Sequence, residues 1–286
     1  MKIINNKMTI IQMSDLNDDR FGRFGNQLFK YFFLKILEKE LDVEIRHPNW
    51  LGNVAFDIKE TKPVENECKV LIFNPADNWS LNKTVHEIKN HLKFEVLDIK
   101  GFFQFHSSEY LPYINILKNT FKINQLLTKT VTQAMKKFQS NESSIVSIHI
   151  RLGDYESYQN NPVFWTTSFD SIFNSLEHMN SSVFLNRVIY LASDNMPLCK
   201  NEFDNAKIKY ITADDLFLLE DQNARLLVDF TVFSIANVNI ISNSSLSFFS
   251  SLINNESNIF LRPLPDVNIL APFSPWNSAV LLKKNI

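Results

Sequence analysis

The chain has 286 residues, 45% of them apolar and 21% charged, and a formal net charge of −2. This length suits one large domain or two of ordinary size, and the balance is that of a folded protein rather than a disordered or nucleic-acid-binding one. Cys68 and Cys199 match neither a disulfide framework nor a zinc spacing. The amino terminus does not read as a secretory signal and no apolar run reaches the roughly 18 residues of a membrane span, so the expected location is cytoplasmic.

Thr9–Met13 reads as a short strand, followed by a polar stretch and the turn Phe21-Gly22-Arg23-Phe24-Gly25-Asn26-Gln27. Leu28, Phe29, Phe32, Phe33, Ile36, Leu37 and Leu41 then recur at helical spacing, and Val43–Ile45 reads as the next strand, completing a βαβ unit. Val70–Phe73 is a third strand, Asn82–Lys93 a helix, and Phe94–Phe105 a strand with its loop. Leu111–Phe138 is predicted mostly helical. The polar run near Gln139–Ser144 marks a boundary, dividing the chain into domains of residues 1–140 and 141–286. In the second half, strands are expected at Ile145–Ile150, Val188–Ala192, Ile208–Thr212, Val238–Ile241 and Asn258–Leu261. Helices are expected at Thr167–Met179, Ala224–Ala236 and Leu246–Ile253. Alternation in both halves implies an α/β protein with parallel sheets.

Four places could carry chemistry. At the end of the Ile145–Ile150 strand stand His149, Arg151, Gly153 and Asp154. Arg151 offers a permanently charged fork suited to a diphosphate, His149 could bond a ribose or base, and Gly153 allows a tight turn. Asp154 reads as a loop anchor. The plainer alternative is a surface Arg–Asp pair beside a buried histidine. Second, the Gly22–Gln27 turn presents a helix amino terminus with Arg23 projecting, and Asn26 is a good N-cap. Third, Asn243-Ser244-Ser245 precedes an apolar helix as an anion nest or a simple cap. Fourth, Ser193-Asp194 ends a strand, where Asp194 could meet a nucleoside or form an Asx turn. No Asp-x-Asp pair, P-loop, nucleophile elbow or zinc helix is present.

In this order the stretches resemble the metal-independent fucosyltransferases, above all the α-1,2-fucosyltransferase family. That family's Gly-x-x-Gly-Asn-Gln-x-Phe corresponds to Gly22, Gly25, Asn26, Gln27, Leu28 and Phe29. Its Gly-Tyr/Phe-Phe-Gln corresponds to Gly101–Gln104, and its His-x-Arg-Arg-Gly-Asp-Tyr to His149, Arg151, Gly153, Asp154 and Tyr155. Its Asn-Ser-Ser/Thr before an aromatic pair corresponds to Asn243–Ser245 with Phe248-Phe249. Gly-Arg-Phe-Gly-Asn-Gln at residues 22–27 is also shared with the protein O-fucosyltransferases. The chain departs from the family at Leu152, where a second arginine is usual, in the Ser14–Arg20 insertion, and at Phe248-Phe249, where two tryptophans are usual.

The resemblance implies a GT-B-like fold of two facing Rossmann-like domains, an acceptor side in the first and a GDP-sugar site in the second. It implies an inverting, metal-independent glycosyltransferase moving fucose from GDP-fucose to a glycan hydroxyl, with α-1,2 linkage and no cofactor. Arg151 and Asn26 are the expected catalytic residues. Arg23, Gly25, His149, Gly153, Asp154, Asp194, Asn243, Ser244 and Ser245 are the expected donor contacts. Asp18, Asp19, Glu109 and Glu156 are carboxylates that could serve as base, with no motif to choose among them. The rival readings are an enzyme acting on a protein Ser or Thr, a transferase of another GDP-deoxysugar such as GDP-rhamnose, and a binding protein without catalysis.

Overall fold

A computed structural model describes residues 8–58, 62–74, 79–139, 144–158, 161–178, 187–257, 259–267 and 269–284. The chain divides into two compact units, Met1–Lys122 and Ile123–Ile286.

The first unit contains β1 (Ile10–Gln12), α1 (Phe24–Leu41), β2 (Glu44–Arg46), α2 (Leu51–Ala55), β3 (Lys69–Ile72), α3 (Leu81–Lys89), β4 (Val96–Lys100) and α4 (Ile114–Thr120). Its strands form a four-stranded sheet ordered β2-β1-β4-β3, every pair parallel. The helical spacing read from Leu28 to Leu37 is the buried stripe of α1: Leu28, Phe29, Phe32, Phe33, Ile36 and Leu37 are fully enclosed. Each such side chain removed from water stabilises the unit by about 1.5–3 kcal/mol. The helix ends at Asp42, whose φ of 51° and ψ of 53° place it in the left-handed region.

The second unit contains α5 (Gln125–Met135), β5 (Ser144–Ile150), α6 (Phe169–His178), β6 (Arg187–Ser193), α7 (Met196–Asn205), α8 (Ala213–Leu216), α9 (Gln222–Ile235), β7 (Val238–Ile240), α10 (Ser245–Ile253), β8 (Ile259–Pro263) and β9 (Leu270–Pro272). The sheet order is β6-β5-β7-β8-β9, parallel except for the edge strand β9. Strand periodicity sorts the core into two layers. Val146, Ile148, Ile150, Ile189 and Leu191 pack with Ile172, Leu176, Cys199 and Phe203 on one face. Ile145, Tyr190 and Ala192 pack with Val131, Met135, Val232 and Phe233 on the other. A parallel sheet covered on both faces is the expected α/β solution.

Three expectations change. The single helix foreseen over Leu111–Phe138 is a 3-10 turn at Ser107–Tyr113, then α4 and α5. Pro112 lies inside the 3-10 turn, and Asn124 caps α5 by accepting from Leu127 N–H at 3.0 Å. The boundary foreseen at 140/141 therefore moves to 122/123. Phe121 packs edge-on against Tyr31, Phe32 and Phe56 in the first core, whereas Val131, Ala134 and Met135 belong to the second. Ile208–Thr212 is no strand but a single parallel bridge between Ile211 and Tyr190. The foreseen start of the last strand, Asn258, lies outside the described residues. The short helix α2, the helix α7 and the strand β9 were not foreseen.

Candidate active site

In the second unit, three of the four sequence signals meet at one carboxyl edge. β5 lies between β6 and β7, with Ile150 opposite Ser193 and Ile148 opposite Ile240. The three adjacent strands therefore release His149–Gly153, Ser193-Asp194 and Ser242–Ser245 side by side, the arrangement that open α/β sheets use for ligands.

Ser242 ties the first and third of these together. Its hydroxyl donates to the His149 carbonyl at 2.5 Å and accepts from Arg151 N–H at 2.8 Å. Asp194 ties the first to the second. Its Oδ1 accepts from Leu152 N–H at 2.9 Å and its Oδ2 pairs with Arg151 Nη1 at 2.8 Å. Tyr155 completes the frame: its ring lies 5.3 Å from the Arg151 guanidinium carbon and its hydroxyl donates to the Asn243 carbonyl at 3.0 Å. Arg151 thus stands on the sheet edge, its side chain 15% exposed, steadied by a carboxylate and an aromatic face.

Gly153 is required here by close approach. A Cβ at this position would collide with the Asp194 carboxylate. Asp154 begins the same 3-10 turn, Gly153–Tyr158, and its side chain lies outside those described. Asp194 anchors this loop, its two oxygens engaged by Arg151 and Leu152. Leu152 itself is 4% exposed and belongs to the core, which accounts for an apolar residue at that position.

His149 is buried, with Nδ1 2.9 Å from the Ser247 hydroxyl and its ring against Phe233. Burial pushes its pKa down to about 4, against a smaller opposing pull from Asp194, so the ring is neutral at physiological pH. It acts on the site through Ser247, on the first turn of α10, and through its carbonyl to Ser242.

The Asn243-Ser244-Ser245 segment divides its labour. The Asn243 amide donates to the Val163 and Leu282 carbonyls and accepts from Leu282 N–H and from Arg262. It is a structural strut, and Arg262 is its buried partner, its pKa lowered to about 10 by burial. Ser244 is the N-cap residue of α10, yet its side chain makes no capping hydrogen bond. The Ser244 side chain therefore does not cap α10, and its own N–H donates to the Ser242 carbonyl at 2.8 Å. Phe248 and Phe249 are fully buried core residues.

In the first unit, the Gly22–Gln27 turn opens α1, but the N-cap is Arg23, not Asn26. Phe24 already has helical geometry, which places Asn26 at the third helical position and Gly25, buried, at the second. Arg23 is exposed and makes no side-chain cap. Gly22 has φ of 121°, and a Cβ there would lie 2.6 Å from the Asn26 side chain. Asn26 Oδ1 accepts from Gln104 Nε2 at 2.7 Å. Gln104 follows Phe103, a non-glycine residue with φ of 51° whose ring stacks on Phe33 at 4.4 Å and whose carbonyl accepts from Tyr110. The Gly101–Gln104 segment is thus a strained support for Asn26.

Among the base candidates, Asp18 is paired with Arg20 at 2.6 Å, which holds its pKa down at about 2. Asp19 accepts from Gln27, and Glu109 accepts from Leu81 N–H at 2.7 Å. The side chain of Glu156 lies outside those described. Sequence reasoning missed Ser242, Ser247 and Tyr155 as framing residues. The resemblance had matched Gln104 and Tyr155 to motif positions without giving either a role. No group of three or more metal-ligating side chains occurs among the described residues, and no described helix is long and apolar enough to cross a membrane.

Comparison with known proteins agrees with this architecture. No curated protein matches the chain in sequence. Among solved structures, POFUT1 in complex with GDP is similar with a TM-score of 0.58 and 12% identity, over 90% of this chain and 98% of that one. Fucosyltransferase NodZ from Bradyrhizobium gives 0.53 and 9%, over 94% and 99%. FUT1 from Arabidopsis thaliana gives 0.58 and 9%, over 94% and 73%. These likenesses give the fold, which is that of the GT-B fucosyltransferases. The family model of Glycosyl transferase family 11 matches residues 3–271. With the strand-edge site and the Gly22–Gln27 turn in place, the chain belongs to glycosyl transferase family 11, the α-1,2-fucosyltransferase family.

Proposed function

We propose that the carboxyl edge of the second sheet holds the diphosphate of GDP-fucose, and that no divalent metal takes part. Membership of family 11 makes the chain a GDP-fucose-dependent fucosyltransferase acting on a glycan hydroxyl with α-1,2 linkage. The observation that carries the residue assignment is the pairing of Arg151 with the uncapped start of α10. They stand at the ends of adjacent strands, joined by one Ser242 hydroxyl.

In the mechanism, the acceptor hydroxyl attacks the anomeric carbon of fucose as the bond to the β-phosphate oxygen breaks, and the hydroxyl proton passes to the departing diphosphate or to water. Inversion follows from this single displacement. Negative charge grows on the departing GDP, and Arg151 with the amino-terminal turn of α10 takes it up. A fixed, pre-aligned cation of this kind does the work that a metal does elsewhere. Asp194 and Tyr155 hold Arg151 in place before substrate arrives. Neutral His149 braces the nest through Ser247 and avoids placing a second buried charge beside the nucleoside. Asn26, near the start of α1, is held by Gln104 and is the first unit's candidate for contact with the reacting sugar.

The test is turnover of a panel of GDP-sugars with β-galactoside acceptors, in the presence of chelator. GDP-fucose is expected to be consumed and its product to carry an α-1,2 linkage by NMR. Preferential use of GDP-rhamnose, or of a serine- or threonine-bearing protein acceptor, would replace this reading with the corresponding rival.

A further inference from the structure

The first unit has a concavity of its own, at the carboxyl edge of its sheet. β3 and β4 run parallel there, and the segments that follow them, Phe73-Asn74 and Gly101-Phe102, enclose a cavity of about 260 Å³. Its floor is a buried ion pair. Lys30 Nζ, on α1, lies 3.2 Å from Asp15 Oδ1, beyond β1, and the side chains are 1% and 6% exposed. The contact is electrostatic, and neither atom has a hydrogen-bond partner among the described residues. A buried ammonium and a buried carboxylate oxygen that lack hydrogen-bond partners carry a desolvation cost that their mutual attraction does not fully offset. Burial accordingly lowers the Lys30 pKa, with Asp15 acting against it. The rim carries exposed apolar side chains, Ile72 at 76% and Phe102 at 38%, together with Asn74 and Lys100.

A buried charged pair beneath exposed apolar side chains departs from the usual order of a surface. We infer that this cavity is a subsite for one pyranose ring of the acceptor glycan. A sugar hydroxyl both donates and accepts, so a neighbouring pair can donate to Asp15 and accept from Lys30. The C–H face of the ring then lies on Phe102. An apolar ligand would leave both charges unmet. The volume is below the roughly 300–1,000 Å³ of pockets for larger ligands, which fits a single ring. Assigning that ring to the acceptor rests on the fucosyltransferase reading above.

The experiment is saturation-transfer NMR on the full chain with methyl β-galactoside, methyl α-glucoside and methyl α-mannoside. Two variants accompany it, Ile72→Trp to plug the mouth and Phe102→Ala to remove the platform. Both positions are at the surface, so folding is retained. At least one pyranoside is expected to receive signal from the wild type and to lose it in both variants. In kinetics, KM for the glycan acceptor rises about tenfold or more in the variants, a loss of at least ~1.4 kcal/mol of binding. In Ile72→Trp, acceptor-free hydrolysis of GDP-fucose and kcat at saturating acceptor stay unchanged. No signal from any of the three sugars, or signals and KM indifferent to Ile72→Trp, would overturn the subsite. Absence of GDP-fucose turnover by the wild type with glycan acceptor present would instead overturn the enzymatic reading, while plug-sensitive sugar signals would still establish the subsite.

Discussion

Asp194 is the residue on which the geometry of the site turns. One oxygen fixes the backbone at Leu152 and the other fixes the Arg151 side chain. Asp194→Asn retains an oxygen acceptor for Leu152 N–H but removes the ion pair, whereas Asp194→Ala removes both. Steady-state kinetics should therefore show kcat falling about tenfold in the first and about a hundredfold in the second. Equal losses would mean that Asp194 acts by direct contact with the nucleoside. Gly153 is bound into the same cluster. Gly153→Ala forces a methyl group into the Asp194 carboxylate, and the overpacking should cost about 1–3 kcal/mol in urea denaturation. It should also depress kcat, because relief moves Arg151.

At the scale of elements, the site is the meeting of β5, β7 and α10, and His149 is the hinge of that contact. Its folded pKa of about 4 lies below the ordinary value of 6.5. As pH falls, the unfolded chain takes up this proton first. The contribution is complete above about pH 6.5 and is lost between there and about pH 4, by up to ~3 kcal/mol. Asp229 works in the opposite sense: burial raises its pKa from 3.8 to about 7, so its contribution fades as pH rises through that value. His149→Gln keeps a polar partner for Ser247 and removes the titration. Unfolding free energies measured from pH 7 to pH 4 should fall less steeply in this variant than in the wild type. Identical slopes would show that His149 does not titrate in this way.

At the scale of the whole molecule, both sheets were legible in the sequence because their strands and helices alternate with clean periods. Ile145–Ile150 and the stripe from Leu28 to Leu37 are the plainest cases, each buried as its pattern requires. Short or irregular elements were not legible. The helix α7 has a weak apolar face around Cys199 and Phe203, and Ile211 contributes one bridge where an apolar run suggested a strand. The site was legible in its residue types but not in their division of labour. Spacing cannot show that Asn243 is consumed by Arg262 and Leu282, that Ser244 leaves α10 uncapped, or that Arg23 takes the capping position from Asn26. Those facts depend on partners far away in sequence. The buried pair of Asp15 and Lys30 was invisible for the same reason.

The central claim is that Arg151, rather than a metal, neutralises the departing diphosphate. The most direct measurement is kcat for GDP-fucose with saturating acceptor, in chelator, for the wild type and Arg151→Ala. The account predicts full wild-type turnover under chelation and a loss of about 10²–10³-fold in the variant, with a thermal midpoint shifted by no more than a few degrees. Wild-type-like turnover by Arg151→Ala, or wild-type turnover that chelation abolishes and a divalent metal restores, would contradict it.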